Sequence, residues 1–259
     1  MRPAWILLSA VLCVQAGALA QEKPAESSAE SKVDLAAITA RGRALYAYDQ
    51  AAWHGTDAIF ALKPDTKGLA HYICNETPSG WVVVFPKWNE AHDQLLVMYE
   101  AREKDGKFVA RKLDTPAAAD SELVGKERAL ELAINDFPKP NRPYNTAILS
   151  GPDGNLFVYL YPGQTKTNVW PIGGDFRYTI SADGKTIVER RKLHNAILDM
   201  EMRENQKGGY HTHAISDVPE DTDVLYVLNR KPSMPEFVGT STQIFEIDKD
   251  GNIGLAKSQ

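Results

Sequence analysis

The sequence has 259 residues, of which 43% are hydrophobic and 24% are charged, and its formal net charge at pH 7 is -5. A chain of this length can bury a sizeable core, either as one large domain or as two small ones. The mildly acidic balance, without a cluster of lysines and arginines, argues against nucleic acid and anionic membrane surfaces as partners.

The first twenty residues have the pattern of a secretory signal peptide. Arg2 provides a positive start, residues 6–14 form an apolar run that is too short to span a bilayer, and Ala18-Leu-Ala20 fits an A-x-A cleavage site. We predict cleavage after Ala20, a periplasmic or secreted mature protein, and no membrane span. Residues 21–33 are polar and low in complexity, which predicts a flexible linker.

Cysteine usage is consistent with this compartment. Cleavage after residue 20 removes Cys13 and leaves Cys74 as the only thiol, which excludes an internal disulfide. His71 lies three positions before Cys74 in a predicted strand, so the two side chains point to opposite faces. We therefore predict a small buried residue at Cys74 rather than half of a Cys-His nucleophilic pair.

The first predicted unit, residues 34–115, has a helix followed by an antiparallel meander. From Leu35, apolar residues recur at helical spacing toward residues 53–57. Alternating apolar runs then predict four strands, at 69–74, 81–85, 94–101 and 107–113. Asp105-Gly106 separates the last two and is a favoured two-residue hairpin turn.

The second predicted unit, residues 121–259, repeats this order. A helix is predicted over 121–136, ended by Pro138 and Pro140. Three further Asp-Gly turns separate paired strands, at 147–149 and 156–161, 176–180 and 186–191, and 243–247 and 253–255. Four such turns indicate an α+β fold with antiparallel sheets, built from two successive helix-plus-meander units. The apolar run 224–228 suits a helix or a strand equally.

His211, His213 and Asp223 form the most specific chemical pattern in the chain. In an extended segment, residues two apart point to the same side, so both imidazoles can face one ion. A carboxylate from the next element gives two nitrogens and one oxygen, a set that suits zinc and leaves a position for water. The sequence predicts a candidate zinc site here. His194 is either a further ligand or partner of this site or, as is more common, a hydrogen-bonded histidine at an interface.

This segment resembles the zinc motif of the JAB/MPN-type metallopeptidases. Pro219, a short acidic segment and Asp223 follow the His-x-His pair in the family's order, and a helix and the strand 145–151 precede it as they do there. The resemblance covers roughly residues 121–255. It implies that the two histidines and Asp223 bind zinc and that the activity is hydrolysis of an amide or peptide bond.

The chain differs from that family at the general base. The family places a glutamate at the start of the strand that leads to a glycine, and this chain has Asn145 there. An asparagine cannot accept a proton from zinc-bound water. The nearest candidate catalytic carboxylates are therefore Glu220 and Asp221; otherwise the protein is a relative that binds metal without hydrolysis.

From about residue 40 to the C terminus, the chain is also similar to a group of secreted proteobacterial proteins of unknown function. The resemblance rests on four motifs, which lie at residues 48–57, 173–178, 193–194 and 219–223. It implies a secreted protein, and no activity comes with it.

Two functions stay open at this point. One is a zinc-dependent hydrolase, or an inactive relative, that takes a small molecule or a peptide. The alternative is a non-enzymatic envelope binding protein without a metal. In that case His211 and His213 are hydrogen-bonded at a sheet edge, and Asp221 and Asp223 cap the next element.

Overall fold

A computed structural model of the chain describes residues 34–138 and 140–257. The predicted signal peptide, residues 1–20, and the predicted linker, residues 21–33, lie outside the described residues. None of the helices in the described ranges combines the length and the apolar character that crossing a membrane requires.

Helices and strands alternate along the described chain in an α+β order. The α-helices are α1 (Leu35–Phe60), α2 (Ser121–Asp136) and α3 (Asp221–Asn229). The strands of the first half are β1 (Ile73–Thr77), β2 (Gly80–Trp88), β3 (Leu95–Lys104) and β4 (Lys107–Ala118). The later strands are β5 (Tyr144–Ser150), β6 (Leu156–Pro162), β7 (Val169–Gly173), β8 (Phe176–Ile180), β9 (Ile187–Lys192), β10 (Ile197–Glu201), β11 (Gly209–Thr212), β12 (Glu236–Gly239), β13 (Ile244–Ile247) and β14 (Ile253–Leu255).

The strands assemble into three four-stranded sheets and one pair. The sheet orders are β1-β2-β3-β4, β5-β6-β8-β9 and β11-β12-β13-β14, and β7 pairs with β10. Neighbouring strands are antiparallel except β11 and β12, which run parallel and have α3 between them in the chain. The predicted α+β fold with antiparallel sheets is confirmed, and the parallel pair is an addition to it.

The four predicted Asp-Gly hairpins are also confirmed. They join β3 to β4, β5 to β6, β8 to β9 and β13 to β14, all of which are antiparallel pairs. The glycines of these turns have φ of 72°, 76°, 74° and 81°. Residues with a side chain rarely adopt this conformation, so local turn chemistry determines where the strands reverse.

Several element boundaries differ from the predicted ones. α1 continues to Phe60, and the apolar run 224–228 lies within α3. β1 begins only at Ile73, four residues later than predicted. β4 continues to Ala118, beyond the predicted end at residue 113, because its last residues pair with the start of β3.

One hydrophobic core spans both predicted halves of the chain. It unites side chains of α1, the first sheet, α2 and the second sheet, including Tyr48, Leu130 and Tyr159, which are at most 1% exposed. A smaller core surrounds α3 and the third sheet. α1 packs against α3 closely at Gly42, where a Cβ atom would lie 2.7 Å from the backbone oxygen of Asp221. A side chain larger than glycine at this position would therefore push α1 away from the start of α3.

Cys74 is buried on β1, as predicted, and it is not in a disulfide. Burial raises the pKa of its thiol far above the usual range. His71 instead bonds to Glu127, with its Nδ1 2.8 Å from the carboxylate. The structure therefore pairs His71 with α2 and leaves Cys74 as a packing residue.

Candidate metal centre

Three separate segments bring four candidate ligands together. His194 lies in the loop after β9, and the preceding residue, Leu193, donates its N–H to the backbone oxygen of Asp175 at 3.0 Å. His211 lies on β11 and His213 directly follows that strand. Asp223 is the third residue of α3. The ligand atoms of the four residues all lie within 4.8 Å of one another.

The Nε2 atoms of the three histidines point to one centre. The Nε2 of His213 lies 2.9 Å from that of His194 and 3.2 Å from that of His211. Asp223 completes the group, with one carboxylate oxygen 3.1 Å from His194 and 3.2 Å from His211, and the other 3.1 Å from His213. The three predicted ligands thus meet, and His194 joins them as a fourth.

These separations are short enough for the four side chains to share one ion. Zinc with bonds of about 2.0–2.1 Å places its four ligand atoms roughly 3.3–3.4 Å apart. The five distances given above, 2.9 to 3.2 Å, are a few tenths of an ångström shorter than this, and the four ligand atoms all lie within 4.8 Å of one another. Three nitrogens and one oxygen are a ligand set that suits zinc and other divalent transition metals.

The second ring nitrogen of each of these histidines, Nδ1, has a hydrogen-bond partner that orients the ring. The Nδ1 atoms of His194 and His211 lie 2.7 Å from Asp175 and 3.0 Å from Glu236, respectively. The Nδ1 of His213 donates to the backbone oxygen of Val218 at 2.8 Å. Donation from Nδ1 fixes the tautomer that leaves a lone pair on Nε2, and metal-binding histidines are usually oriented in this way.

The centre is closed to solvent and is rich in negative charge. The four candidate ligands are at most 9% exposed. The carboxylates of Asp175, Glu236 and Asp223 surround the imidazoles, and Arg230 neutralises Glu236 at 2.6 Å. With neutral imidazoles, three carboxylates and one guanidinium leave two negative charges, which a divalent cation offsets.

In the absence of an ion, protonation of histidines offsets part of the negative charge of the carboxylates. Burial lowers the pKa of His194, but the carboxylates of Asp223 and Asp175 outweigh it and raise that pKa to about 11. Burial likewise lowers the pKa of His211, and Asp223 and Glu236 raise it to about 9. Burial raises the pKa of Asp223, yet the histidines hold it well below its usual range. A metal ion replaces these protons when it binds.

Glu220 and Asp221, the predicted catalytic carboxylates, are engaged with arginines. The carboxylate of Asp221 accepts from Arg41 at 2.9 Å and from Arg177 at 2.8 Å, and also from a tyrosine hydroxyl on β6. Glu220 accepts from Arg191 at 2.6 Å. Both side chains are buried. Asp223 additionally accepts the backbone N–H of Glu220 at 2.7 Å, so it caps α3 as well as facing the histidines.

Asp175 and Glu236, which orient two of the ligands, carry no signal in the sequence that assigns them to the site. Asp175 follows Gly173 and Gly174, whose φ angles of 82° and 68° form the tight turn between β7 and β8. That glycine pair is the one local hint that the turn approaches another segment. Glu236 begins β12, and only the pairing of β12 with β11 places it beside His211.

No protein-family model, curated protein or solved structure matches the chain. The two resemblances described from the sequence motifs therefore stay predictions.

Proposed function

We propose that the protein binds one zinc ion at His194, His211, His213 and Asp223, and that this ion has a structural role. The observation that carries the proposal is that the Nε2 atoms of three histidines and one carboxylate converge on one point. The Nδ1 atom of each histidine already has a hydrogen-bond partner. Four protein ligands complete a tetrahedron and leave no position for water, which is typical of structural rather than catalytic zinc.

The proposal extends to the compartment and the relatives. The N-terminal pattern supports a mature protein that is periplasmic or secreted. The His-x-His strand, the following Asp223 and the helix and strand that precede this motif support descent from a JAB/MPN-like metallopeptidase that has lost its base. Asn145 and the arginine-bound Glu220 and Asp221 favour such an inactive relative.

The test is metal analysis of the mature protein, purified without chelators and without a histidine tag. We expect about one zinc per chain, and loss of zinc in the double variant His211→Ala/His213→Ala. His92→Asn is the matched control, because His92 is an exposed histidine away from the centre. Wild-type protein that stays metal-free after growth in zinc-replete medium would contradict the proposal.

Cobalt substitution tests the closed coordination. Four-coordinate cobalt absorbs visible light far more strongly than six-coordinate cobalt does. We expect intense bands in the wild type and a marked change in His194→Ala, where water can enter. Weak bands in the wild type would instead show a coordination number above four and would contradict the proposed four-ligand site.

A zinc-dependent amide or peptide hydrolase is the second candidate, and the position of His194 is the observation that favours it. His194 is supplied by a loop, whereas His211 and Asp223 lie on a strand and a helix. Loops move more readily than the elements they connect, so His194 is the ligand that water could replace. Peptide hydrolysis by the zinc-loaded wild type would establish this function, and its absence in both wild type and His194→Ala would exclude it.

A further inference from the structure

A cavity of about 550 Å³ lies beside the candidate metal centre. Thr222 and Tyr226 of α3 form part of its wall, one helical turn apart. Asp175, which accepts the proton of His194, lines the same space. The volume lies in the range of small-molecule sites, and neither proposed role of the metal uses this cavity.

Asp49 of α1 places a carboxylate in the cavity wall, and no lysine or arginine of the described residues forms an ion pair with it. One of its oxygens accepts from the Tyr161 hydroxyl at 2.7 Å, and the other accepts from the Asn229 amide at 3.0 Å. Among the described residues, the groups that bond to this carboxylate are thus neutral. Burial raises the pKa of Asp49. A carboxylate in such surroundings gains more from a cation than it would in water.

The lining of the cavity as a whole has a net charge of one negative unit. The lining side chains carry two carboxylates, Asp49 and Asp175, against one ammonium group, that of Lys231. Because Asp175 is paired with His194, Asp49 is the carboxylate that remains for a ligand. Lys231 is exposed, and its Nζ lies 3.5 Å from a backbone oxygen at the end of α3. The cavity therefore disfavours phosphates and carboxylates and favours a positive ligand.

Aromatic and unsatisfied polar groups complete the wall. Trp53, Tyr72 and Trp170 line the cavity. The indole Nε1 of Trp170 and the hydroxyl of Thr222 are buried and have no hydrogen-bond partner among the described residues. Aromatic rings attract cations at their faces, and free polar groups can fix the orientation of a ligand.

We propose that this cavity binds a small organic cation, with an ammonium group next to apolar surface. Asp49 is its counter-ion, the aromatic side chains contact its apolar part, and Thr222 and Trp170 offer hydrogen bonds. A neutral sugar would engage the polar groups but would leave the Asp49 carboxylate without a counter-charge.

Two probes of the same shape test the role of charge. Choline has a positively charged quaternary nitrogen where the neutral 3,3-dimethylbutan-1-ol has a quaternary carbon. By isothermal titration of the metal-loaded mature protein, we expect one choline to bind per chain and the neutral alcohol to bind at least about tenfold more weakly. Equal binding of both probes, or tighter binding of glucose than of choline, would overturn the proposal.

Variants of α1 locate the binding site. We expect Asp49→Asn to weaken choline binding by about tenfold or more, because it removes the counter-ion. Asp57→Asn is the matched control, since Asp57 is exposed on the same helix, and it should bind choline as the wild type does. Zinc content should be unchanged in both variants, so failure of the cavity proposal is distinguishable from failure of the metal proposal. If neither choline nor the larger benzyltrimethylammonium binds saturably to the wild-type protein, the proposal is also contradicted. This measurement does not depend on whether the variants fold.

Discussion

Asp221 and Asp223 lie two positions apart in the first turn of α3, and their carboxylates have different partners. Asp223 faces three imidazoles, whereas Asp221 faces Arg41 of α1 and Arg177 of β8. Both residues are completely buried. Within one helical turn, Asp223 therefore belongs to the candidate metal centre, whereas Asp221 pairs with arginines of two other elements.

Substitution of each aspartate should have a different effect. Asp221→Asn should lower the free energy of unfolding by about 3 kcal/mol, because two arginines lose a buried counter-ion, and it should leave zinc content near one per chain. Asp223→Asn should reduce zinc content instead, because an amide is a poor metal ligand. Urea unfolding and metal analysis of both variants measure these effects. Loss of zinc in Asp221→Asn with an intact fold would place Asp221 at the metal.

The sequence predicted three of the four candidate ligands. His211 and His213 were predictable because strand periodicity places residues two apart on one face, and Asp223 was predicted as a carboxylate that the next element supplies. For His194 the sequence left two interpretations, a further ligand or an ordinary hydrogen-bonded histidine at an interface. The loop after β9 meets β11 only in the folded chain, so no local pattern encodes that contact.

At the scale of elements, the pairing of β3 with β4 includes a charged cluster. Glu100 of β3 lies opposite Arg111 of β4 and two positions before Arg102. Burial raises the pKa of Glu100, but hydrogen bonds from the two arginines outweigh it and lower the pKa below the usual range. The cluster therefore stabilises the hairpin as long as Glu100 is ionised.

The contribution of Glu100 should depend on pH. Because the pKa is lowered in the folded chain, the stabilisation is fully present above the ordinary glutamate pKa, about 4.3, and is lost as the pH falls through the lower folded value. Glu100→Gln should lower the free energy of unfolding by about 1 kcal/mol at pH 7, since both arginines are largely exposed. The difference from the wild type should decrease as the pH falls below the ordinary glutamate pKa.

Urea unfolding at several pH values measures this difference. Glu76→Gln is the control, since Glu76 is exposed on β1, and it should behave as the wild type does. A Glu100→Gln deficit that persists at low pH would show that packing, rather than charge, is responsible.

Local and non-local elements differed in how well the sequence predicted them. Each Asp-Gly hairpin was predictable, because two residues determine the turn and the neighbouring strands pair directly. β7 and β10, and the parallel pair β11 and β12, were not predicted. Their partners are far apart in the chain, and their strands are only four or five residues long. Such short strands depend on tertiary pairing rather than on intrinsic preference.

At the scale of the whole molecule, the candidate metal centre joins the loop after β9 to the third sheet and to α3. β9 and β11 belong to different sheets, and α3 packs against α1 of the first half. An ion bound there would hold elements from distant parts of the chain in one arrangement.

Removal of zinc should lower the global stability. At free zinc about 1,000 times its Kd, we expect the free energy of unfolding to exceed that of the zinc-free protein by about 4 kcal/mol. Urea unfolding with and without added zinc measures the difference. Amide hydrogen exchange should increase most at residues 193–196 and in β11. Equal stability in both conditions would exclude a structural role for the ion.

The shared core could not be predicted from sequence patterns. Amphipathic periodicity shows that each helix and sheet has an apolar face, but it does not show which faces meet. In the folded protein, side chains of α1, α2 and the first two sheets pack together in one cluster. The predicted boundary between residues 115 and 121 lies at the junction of β4 and α2, on the surface of this cluster.

The separation of His194 and Asp223 along the chain gives a bound ion a further effect. It would cross-link a loop of roughly 30 residues, and closing such a loop covalently stabilises a protein by about 3–4 kcal/mol. Cys74 is the only cysteine beyond residue 20, so no disulfide can do this in the described chain. A metal cross-link opens with acid or chelators and resists thiol reductants, whereas a disulfide has the opposite sensitivities.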